Sequence, residues 1–134
     1  MGLQASSGCD AGSINKNRSN RVTATGFDSD VLVGTATFIR ATGLKEVHKA
    51  HIYGVYVTPS HRGQRVGRDL INEVLTRARR DPRVEQILLA VASDNVAAKR
   101  TYVAAGFTAF GMEPRALKVG DRYVDEDHMI LRLG

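Results

Sequence analysis

Residues 50–92 constrain the fold more than any other part of the chain. Residues 50–57 are mostly β-branched or aromatic, as in a strand, and Pro59 ends that strand because proline has no backbone N–H. Residues 66–80 place apolar side chains every three or four positions, which predicts an amphipathic helix. Residues 84–92 are an apolar run of strand length. Because a strand that follows a helix in this way usually joins the sheet beside its predecessor, we predict a parallel β-α-β unit.

The remaining segments predict a mixed sheet around this unit. Val31–Arg40 is strand-like and is predicted to pair with residues 50–57 as a hairpin. A second helix is predicted over residues 95–105, where polar residues that cap helices precede it and a glycine follows it. Residues 107–112 and 127–133 are predicted strands, and the polar residues between them are a predicted loop.

Length and composition exclude several classes of protein. The chain has 134 residues, 43% of them hydrophobic, which fits one folded domain. Its single cysteine, Cys9, excludes an intramolecular disulfide and a cysteine-based zinc site, and it favours a reducing compartment. The sequence has neither an apolar run of about 20 residues nor the apolar core of a secretion signal. We therefore expect a cytoplasmic protein that needs no membrane and no metal.

The first 28 residues differ from the rest in composition. They are rich in glycine, serine and asparagine and contain few large apolar side chains. We predict a loosely ordered or disordered arm over residues 1–28 and a folded domain over residues 29–134. The arm is either a regulatory or targeting tail or a solvated leader, and composition favours the leader.

The net charge of +5 is concentrated in one segment. Residues 62–83 contain seven arginines against three acidic residues, so this segment attracts phosphate groups. A nucleic acid is a poor match, because no aromatic residues stand between the arginines to stack on bases. We therefore predict a phosphate-bearing small molecule rather than a nucleic acid as the partner.

The turn before the first helix is the predicted phosphate site. It reads HRGQRVGR over residues 61–68, with Gly63 and Gly67 beside three arginines. A helix N-terminus exposes unpaired N–H groups, and glycine lets a phosphate approach them closely. The alternative is a simple connection between strand and helix. The glycine motifs of dinucleotide-binding proteins and of nucleotide triphosphatases are both absent.

Two segments of the sequence resemble a known family. From Val55 to Gly67 the chain reads VYVTPSHRGQRVG, and from Asn95 to Phe107 it reads NVAAKRTYVAAGF. The first resembles the acyl-CoA loop of the GNAT acetyltransferase superfamily, [Q/R]-x-x-G-x-[G/A] after a strand that ends V-x-V-x-P. The second resembles the family segment N-x-x-A-x-x-x-Y-x-x-x-G-F. The resemblance covers residues 31–134, and Arg65 departs from it where the family usually has a glycine.

The resemblance implies an α/β (α+β) fold with a central mixed β-sheet, splayed parallel strands and flanking helices. Acetyl-CoA would lie between strands 50–57 and 84–92, with its pantetheine arm on the main chain of the first strand, where one N–H would polarise the thioester carbonyl. Its pyrophosphate would lie on the helix N-terminus. The cofactor-binding residues implied in this way are Val55, Tyr56, Val57, Arg62, Gly63, Gln64, Arg65, Val66, Gly67, Arg68, Asn95, Ala98 and Tyr102.

The resemblance also implies catalytic roles. Tyr102 matches the tyrosine that protonates the departing thiolate, although a half-buried core aromatic is the alternative reading of this residue. His51 is the named candidate for the general base, and it is placed with Tyr53 on the same side of the strand as Val55. Other residues that could reach the gap are Glu46, Glu113, Glu126 and His128, and an ordinary surface role stays open for each.

The predicted function is transfer of an acetyl group from acetyl-CoA to a primary amine, by direct attack of the amine. The amine belongs to a small molecule, a protein N-terminus or a lysine, and the sequence does not choose among them. Because residues 1–28 show no amphipathic helix, we expect the N-terminal wall that lines the family's acceptor site to be shortened in this sequence. The alternative is therefore a catalytically weak or inactive acyl-CoA-binding module, and a homodimer that completes the acceptor site stays open.

Overall fold

The computed structural model describes residues 21–28, 31–62 and 65–133. In chain order, these residues form β1 (Arg21–Asp28), β2 (Val31–Arg40), β3 (Lys49–Val57), a 3-10 turn (Pro59–His61), α1 (Val66–Ala78), β4 (Gln86–Ala92), α2 (Val96–Ala104), β5 (Thr108–Val119) and β6 (Arg122–Arg132). The strands form one sheet in the order β1-β2-β3-β4-β6-β5. The β3–β4 pair is parallel, whereas the other pairs are antiparallel. The predicted mixed sheet with flanking helices is confirmed.

The predicted β-α-β unit forms the centre of the core. The buried stripe of α1 consists of Val66, Leu70, Ile71, Val74, Leu75 and Ala78. It packs on β1, β2 and β3, and α1 also contacts α2, so both helices lie on one face of the sheet. Each fully buried Leu, Ile or Val side chain contributes roughly 1.5–3 kcal/mol relative to an exposed one. The helix ends at Ala78, two residues before the end predicted from the sequence.

Strand β1 lies within the segment predicted to be a loose arm. It pairs with β2 in antiparallel register, with Ala24 opposite Ala36, and both side chains are buried. On the other face, the hydroxyl oxygens of Thr23 and Thr37 lie 3.0 Å apart. The composition of this strand does not predict it, because small and polar residues fill it. Its strand conformation is stabilised by pairing with β2. Residues 1–20 lie outside the described residues, so the rest of the arm stays a prediction.

The segment predicted as a loop between the last two strands is instead a long hairpin. Strand β5 continues to Val119 and β6 begins at Arg122, with Gly120 in a left-handed turn (φ +61°) between them. A bulge between Glu113 and Leu117 interrupts the ladder. The loop prediction is wrong because β5 is almost entirely exposed, so its polar residues never show the alternation that identifies a half-buried strand.

Candidate functional site

The parallel ladder between β3 and β4 is short, and the two strands then separate. It joins Lys49 to Gln86, Ala50 to Ile87 and His51 to Leu88. Beyond it, β4 stays paired with β6 as far as Ala92, while β3 stays paired with β2 as far as Val57. The backbone N–H and C=O groups that face the gap therefore have no strand partner, and they can pair with a ligand.

A β-bulge at Gly54 bends β3 away from β4. The register between β2 and β3 shifts between Thr35 and Thr37, and Gly54 has a left-handed backbone with φ +63°. A Cβ atom at Gly54 would meet no atom within 4 Å. Backbone conformation rather than crowding therefore favours glycine here. The bulge explains why the parallel pair separates as predicted.

The bulge also exchanges the faces of β3. Ile52 before it and Val55 after it both pack against the core under α1. Tyr53 and Tyr56 are half exposed on the opposite face. His51 stacks on Tyr53, with their ring centroids 5.8 Å apart. The expectation that His51 and Tyr53 share a side with Val55 is therefore wrong, because the extra residue of the bulge reverses the alternation.

A cleft of about 1500 Å³ occupies the gap and reaches both faces of the sheet. On the helix face its lining includes Ile71, Val91 and Tyr102. On the opposite face it includes Tyr53, Ala90 and His128. Adjacent strands normally lie about 4.8 Å apart, which leaves no passage between them. An extended ligand can therefore bind along the helices and present one end to the opposite face.

The N-terminus of α1 opens on the cleft without a side-chain cap. Its N-cap residue, Arg65, makes no capping hydrogen bond, and the Arg65 carbonyl accepts the N–H of Asp69 at 2.9 Å. The N–H groups of the first turn have no acceptor within the helix. Together with the helix dipole they favour an anion at this end of the cleft. The lining here includes Arg65, Val66, Gly67 and Arg68.

Arg62 and Gly67 shape the same end of the cleft. The Nε of Arg62 donates to the carbonyl of Val57 at 3.0 Å, and its guanidinium carbon lies 5.8 Å from the ring centroid of Tyr56. A Cβ atom at Gly67 would make only an ordinary 3.7 Å contact with Val57. No described protein atom therefore requires glycine at 67, whereas a ligand lying on the main chain would. Gly63 and Gln64 lie outside the described residues.

Helix α2 supplies the other wall. The side chain of Asn95 caps this helix, because its Oδ1 accepts the N–H of Ala98 at 3.1 Å. Asn95 and Ala98 both line the cleft, and Ala98 also packs against the core. The family resemblance predicts both residues at the ligand. The structure brings both to the cleft, and it adds a capping role for Asn95.

Tyr102 lies deeper in that wall and is only 6% exposed. Its ring packs edge-on against Phe107, with centroids 6.0 Å apart. Burial raises the pKa of the Tyr102 phenol, so the side chain keeps its proton at neutral pH. The hydroxyl makes no hydrogen bond to any described residue. Tyr102 is thus a core aromatic whose protonated phenol lies at the cleft.

His51 lies at the end of the parallel ladder, on the face away from the helices. Burial lowers the pKa of its imidazole, nearby Lys49 lowers it further, and Glu46 partly offsets both. The ring is therefore neutral at neutral pH and could accept a proton. No carboxylate lies within ion-pair distance of His51 in the described part of the chain.

Comparison with known families decides which kind of protein this is. The sequence matches the model of the acetyltransferase (GNAT) family over residues 8–107, which is more than half of its length. The chain belongs to the GNAT acetyltransferase family. Comparison with curated protein sequences gives no significant match.

Solved structures of similar fold support this membership. A protein from Staphylococcus epidermidis, described as a probable acetyltransferase, is 27% identical with a TM-score of 0.79, and the match covers 90% of this chain and 73% of that one. The structure of yncA from Salmonella typhimurium, solved with its cofactor acetyl-CoA, is 25% identical with a TM-score of 0.77, and the match covers 85% of this chain and 65% of that one. An N-acetyltransferase from Staphylococcus aureus is 28% identical with a TM-score of 0.70, and the match covers 84% of this chain and 67% of that one.

The structure accounts for the one departure from the GNAT loop pattern. Arg65 stands where the resemblance places a glycine, and its backbone is left-handed, with φ 68°. Glycine adopts this conformation freely, whereas other residues pay roughly 1–2 kcal/mol. Arg65 therefore keeps the backbone shape that glycine favours, and it adds a positive side chain to the cleft.

Two features of the cleft were not singled out by the sequence analysis. Arg100 on α2 adds a fourth arginine to its lining, and Glu126 and His128 on β6 line it on the open face. The sequence names the last two only among residues that could reach the gap. Their register against β4, with Ala90 opposite His128 and Ala92 opposite Glu126, fixes their place.

No group of three or more His, Cys, Asp or Glu side chains among the residues that the structure describes could hold a metal ion. No helix formed by the described residues has the length and apolar character needed to cross a membrane.

Proposed function

We propose that the protein is an N-acetyltransferase that transfers the acetyl group of acetyl-CoA to a primary amine by direct attack of the amine. One observation carries the proposal. The cleft between the diverging strands β3 and β4 passes through the sheet, with an uncapped helix N-terminus at one end and the protonated Tyr102 in its wall.

The cleft suits acetyl-CoA as co-substrate. The edge of Val55–Val57 that faces the gap has no strand partner, and its groups other than the Val57 carbonyl, which accepts from Arg62, can pair with the amide groups of a pantetheine arm in the manner of an added strand. The first turn of α1 and the arginines around it can hold a pyrophosphate. The thioester supplies an activated acyl group. These residues bind and orient it, and a backbone N–H of β3 facing the gap would stabilise the oxyanion formed during attack.

Tyr102 is the proposed general acid. When the carbon–sulfur bond breaks, its phenol can give a proton to the thiolate that leaves. The raised pKa keeps that proton on Tyr102 until then. General acid catalysis of this kind contributes roughly 10²- to 10⁴-fold to a rate.

The open face of the sheet favours a second candidate function. Among the described residues no helix covers this face, and Tyr53 and Tyr56 are half exposed there. An acceptor site with so little wall would suit a catalytically weak acyl-CoA-binding module. The enzyme and the binding module would bind acetyl-CoA in the same way, and they differ only in whether they transfer the acetyl group to an amine.

The experiment that separates them is release of CoA from acetyl-CoA in the presence of amines. The panel contains putrescine, lysine and a tripeptide with a free N-terminus, with trimethylamine as the control because it cannot form a stable amide. The enzyme reading predicts CoA release with at least one primary amine and none above background with trimethylamine. Saturable binding of acetyl-CoA without amine-dependent release would establish the binding module instead.

A further inference from the structure

The open-face mouth of the cleft has the form of a small chamber. Its floor is β4, which presents the short side chains of Ala90 and Ala92 on this face, with the larger Leu88 before them. Tyr53 on β3 forms one wall, and His128 and Glu126 on β6 form the other. His128 is paired directly with Ala90, and Glu126 with Ala92. The chamber can therefore hold a side group of a second substrate next to the gap.

Charge divides the cleft into two ends. Its basic lining residues include four arginines, Arg62, Arg65, Arg68 and Arg100, which belong to α1, α2 and the turn before α1. The chamber has the opposite character, since Glu126 lines it and Glu113 lies opposite Glu126 on β5. Two cations at β6 are paired with other carboxylates: Lys99 pairs with Asp127 at 2.8 Å, and Arg122 lies 3.6 Å from Asp94. One end thus favours phosphate and the other a cation.

His128 has a carboxylate partner that His51 lacks. Its Nε2 lies 3.5 Å from Oε1 of Glu113, and its ring centroid is 6.1 Å from that of Phe110. Its Nδ1 makes no hydrogen bond to any described residue. Glu113 is thus the carboxylate beside the imidazole of His128, with Glu126 and Asp127 as further acidic neighbours and His51 across the gap.

We propose that this chamber takes the acceptor as an ammonium ion, that Glu126 attracts it, and that His128 is the general base, with Glu113 as its positioning residue. The inference rests on the proposed acetyltransferase function and replaces His51 as the base. It names the acceptor class as a cationic primary amine.

The proton balance of the reaction is complete with these groups. His128 takes one proton from the ammonium, and the neutral amine forms a nitrogen–carbon bond to the acetyl carbonyl. The carbon–sulfur bond then breaks, and Tyr102 gives its proton to the thiolate. The second amine proton leaves as the amide forms and restores the Tyr102 phenol through solvent in the cleft. His128 releases its proton to solvent.

The test compares kcat/KM for the amine panel at pH 7 and at about pH 10. His128→Gln should lower kcat/KM at pH 7 by roughly 10²- to 10⁴-fold. The loss should shrink near pH 10, where roughly 30% of an alkyl amine with a pKa near 10.4 is already free base and needs no proton acceptor, against roughly 0.04% at pH 7. Glu113→Gln should lower kcat/KM at pH 7 by a smaller factor than His128→Gln does, because it removes the carboxylate beside the imidazole and leaves the base in place. Glu126→Gln should raise KM for the amine. Matched controls away from the cleft are His48→Gln and Glu85→Gln, which should behave as wild type.

Each outcome decides the matter. Acetyl-CoA affinity that stays within about three-fold of wild type in His128→Gln, together with the pH-dependent loss, supports the assignment. Turnover by His128→Gln within three-fold of wild type at pH 7, or an equal loss at both pH values, overturns it, as does a loss confined to His51→Gln. If wild type binds acetyl-CoA but acetylates no amine of the panel, the proposed function fails, and the base assignment with it.

Discussion

Ser93 and Asp127 are joined by a hydrogen bond at the wide end of the gap, where Ser93 Oγ donates to Asp127 Oδ1 at 2.7 Å. Lys99 Nζ strengthens this junction, because it contacts Asp127 Oδ2 at 2.8 Å and donates to the Ser93 carbonyl at 3.0 Å. The junction ties the end of β4 to β6 and to α2. It therefore keeps β4 on the β6 side while β3 bends away.

The first prediction concerns the pH dependence of this junction. Hydrogen bonds from Lys99 and Ser93 hold the pKa of Asp127 below its usual value. A depressed pKa stabilises the fold above the unfolded-state value, near 3.9, and this stabilisation is lost as pH falls through the folded-state pKa. Asp127→Asn should therefore lower the free energy of unfolding at pH 7 and make little difference near pH 2.

Urea unfolding at the two pH values measures this effect. Asp121→Asn, in the exposed turn of the β5–β6 hairpin, is the matched control and should follow wild type. If Asp127→Asn lowers the free energy of unfolding as much at pH 2 as at pH 7, the stabilisation by this junction does not come from the ionised carboxylate of Asp127.

The second prediction tests the bulge that opens the gap. Gly54→Ala places a side chain on a left-handed backbone but meets no neighbour, so it should cost about 1–2 kcal/mol of unfolding free energy. Gly111→Ala is the control, because Gly111 also has open space around it but no positive φ. Chemical denaturation should place Gly111→Ala within roughly 0.5 kcal/mol of wild type. Equal stability of the two variants would show that the backbone at Gly54 is unstrained.

The third prediction concerns Tyr102. Tyr102→Phe removes only the hydroxyl, so kcat should fall by roughly 10²- to 10⁴-fold while acetyl-CoA affinity stays within about three-fold. Because burial raises the phenol pKa, wild-type activity should show no alkaline loss from this group below about pH 10. Steady-state kinetics and calorimetry provide both readouts. Tyr123→Phe, on the hairpin outside the cleft, should match wild type. Full turnover by Tyr102→Phe would leave this side chain as a core aromatic only.

The fourth prediction concerns the charge around His51. Its imidazole should titrate below the ordinary histidine value, because burial and Lys49 both disfavour the charged form. Lys49→Gln should raise the pKa of His51, and Glu46→Gln should lower it further. Titration followed by NMR measures all three proteins. A wild-type value at or above the ordinary one would contradict the burial of this ring.

The sequence predicts most of the fold where a single segment carries its own signal. The helix from Val66 and the strand Val31–Arg40 are confirmed because apolar spacing and β-branched residues identify them locally. The sequence does not predict strand β1 or the long β5–β6 hairpin. Both are strands because they pair with a neighbouring strand, and their own composition carries no signal of that pairing. The sequence also does not predict the bulge at Gly54. The bulge reverses the alternation of side chains along β3, so Val55 lies on the opposite face of the sheet from His51.

The site is predictable to the same extent. The motif residues Tyr102, Asn95 and Gly67 all line one cleft, as the family pattern implies for them. The chamber residues Glu126 and His128 follow from strand register, which the sequence does not encode in any local motif. Their place is set by the pairing of β6 with β4, in which His128 lies opposite Ala90 and Glu126 opposite Ala92.

The central claim is that the cleft between β3 and β4 binds acyl-CoA, and calorimetric titration with acetyl-CoA and with CoA tests it most directly. Gly67→Glu would place a carboxylate on the first turn of α1, and Asn72→Glu would add the same group on an exposed part of this helix outside the cleft. We expect micromolar binding by wild type and Asn72→Glu, and a loss of at least about thirty-fold, or roughly 2 kcal/mol, in Gly67→Glu. Absence of binding by wild type, or unchanged binding by Gly67→Glu, would contradict the assignment of the cleft.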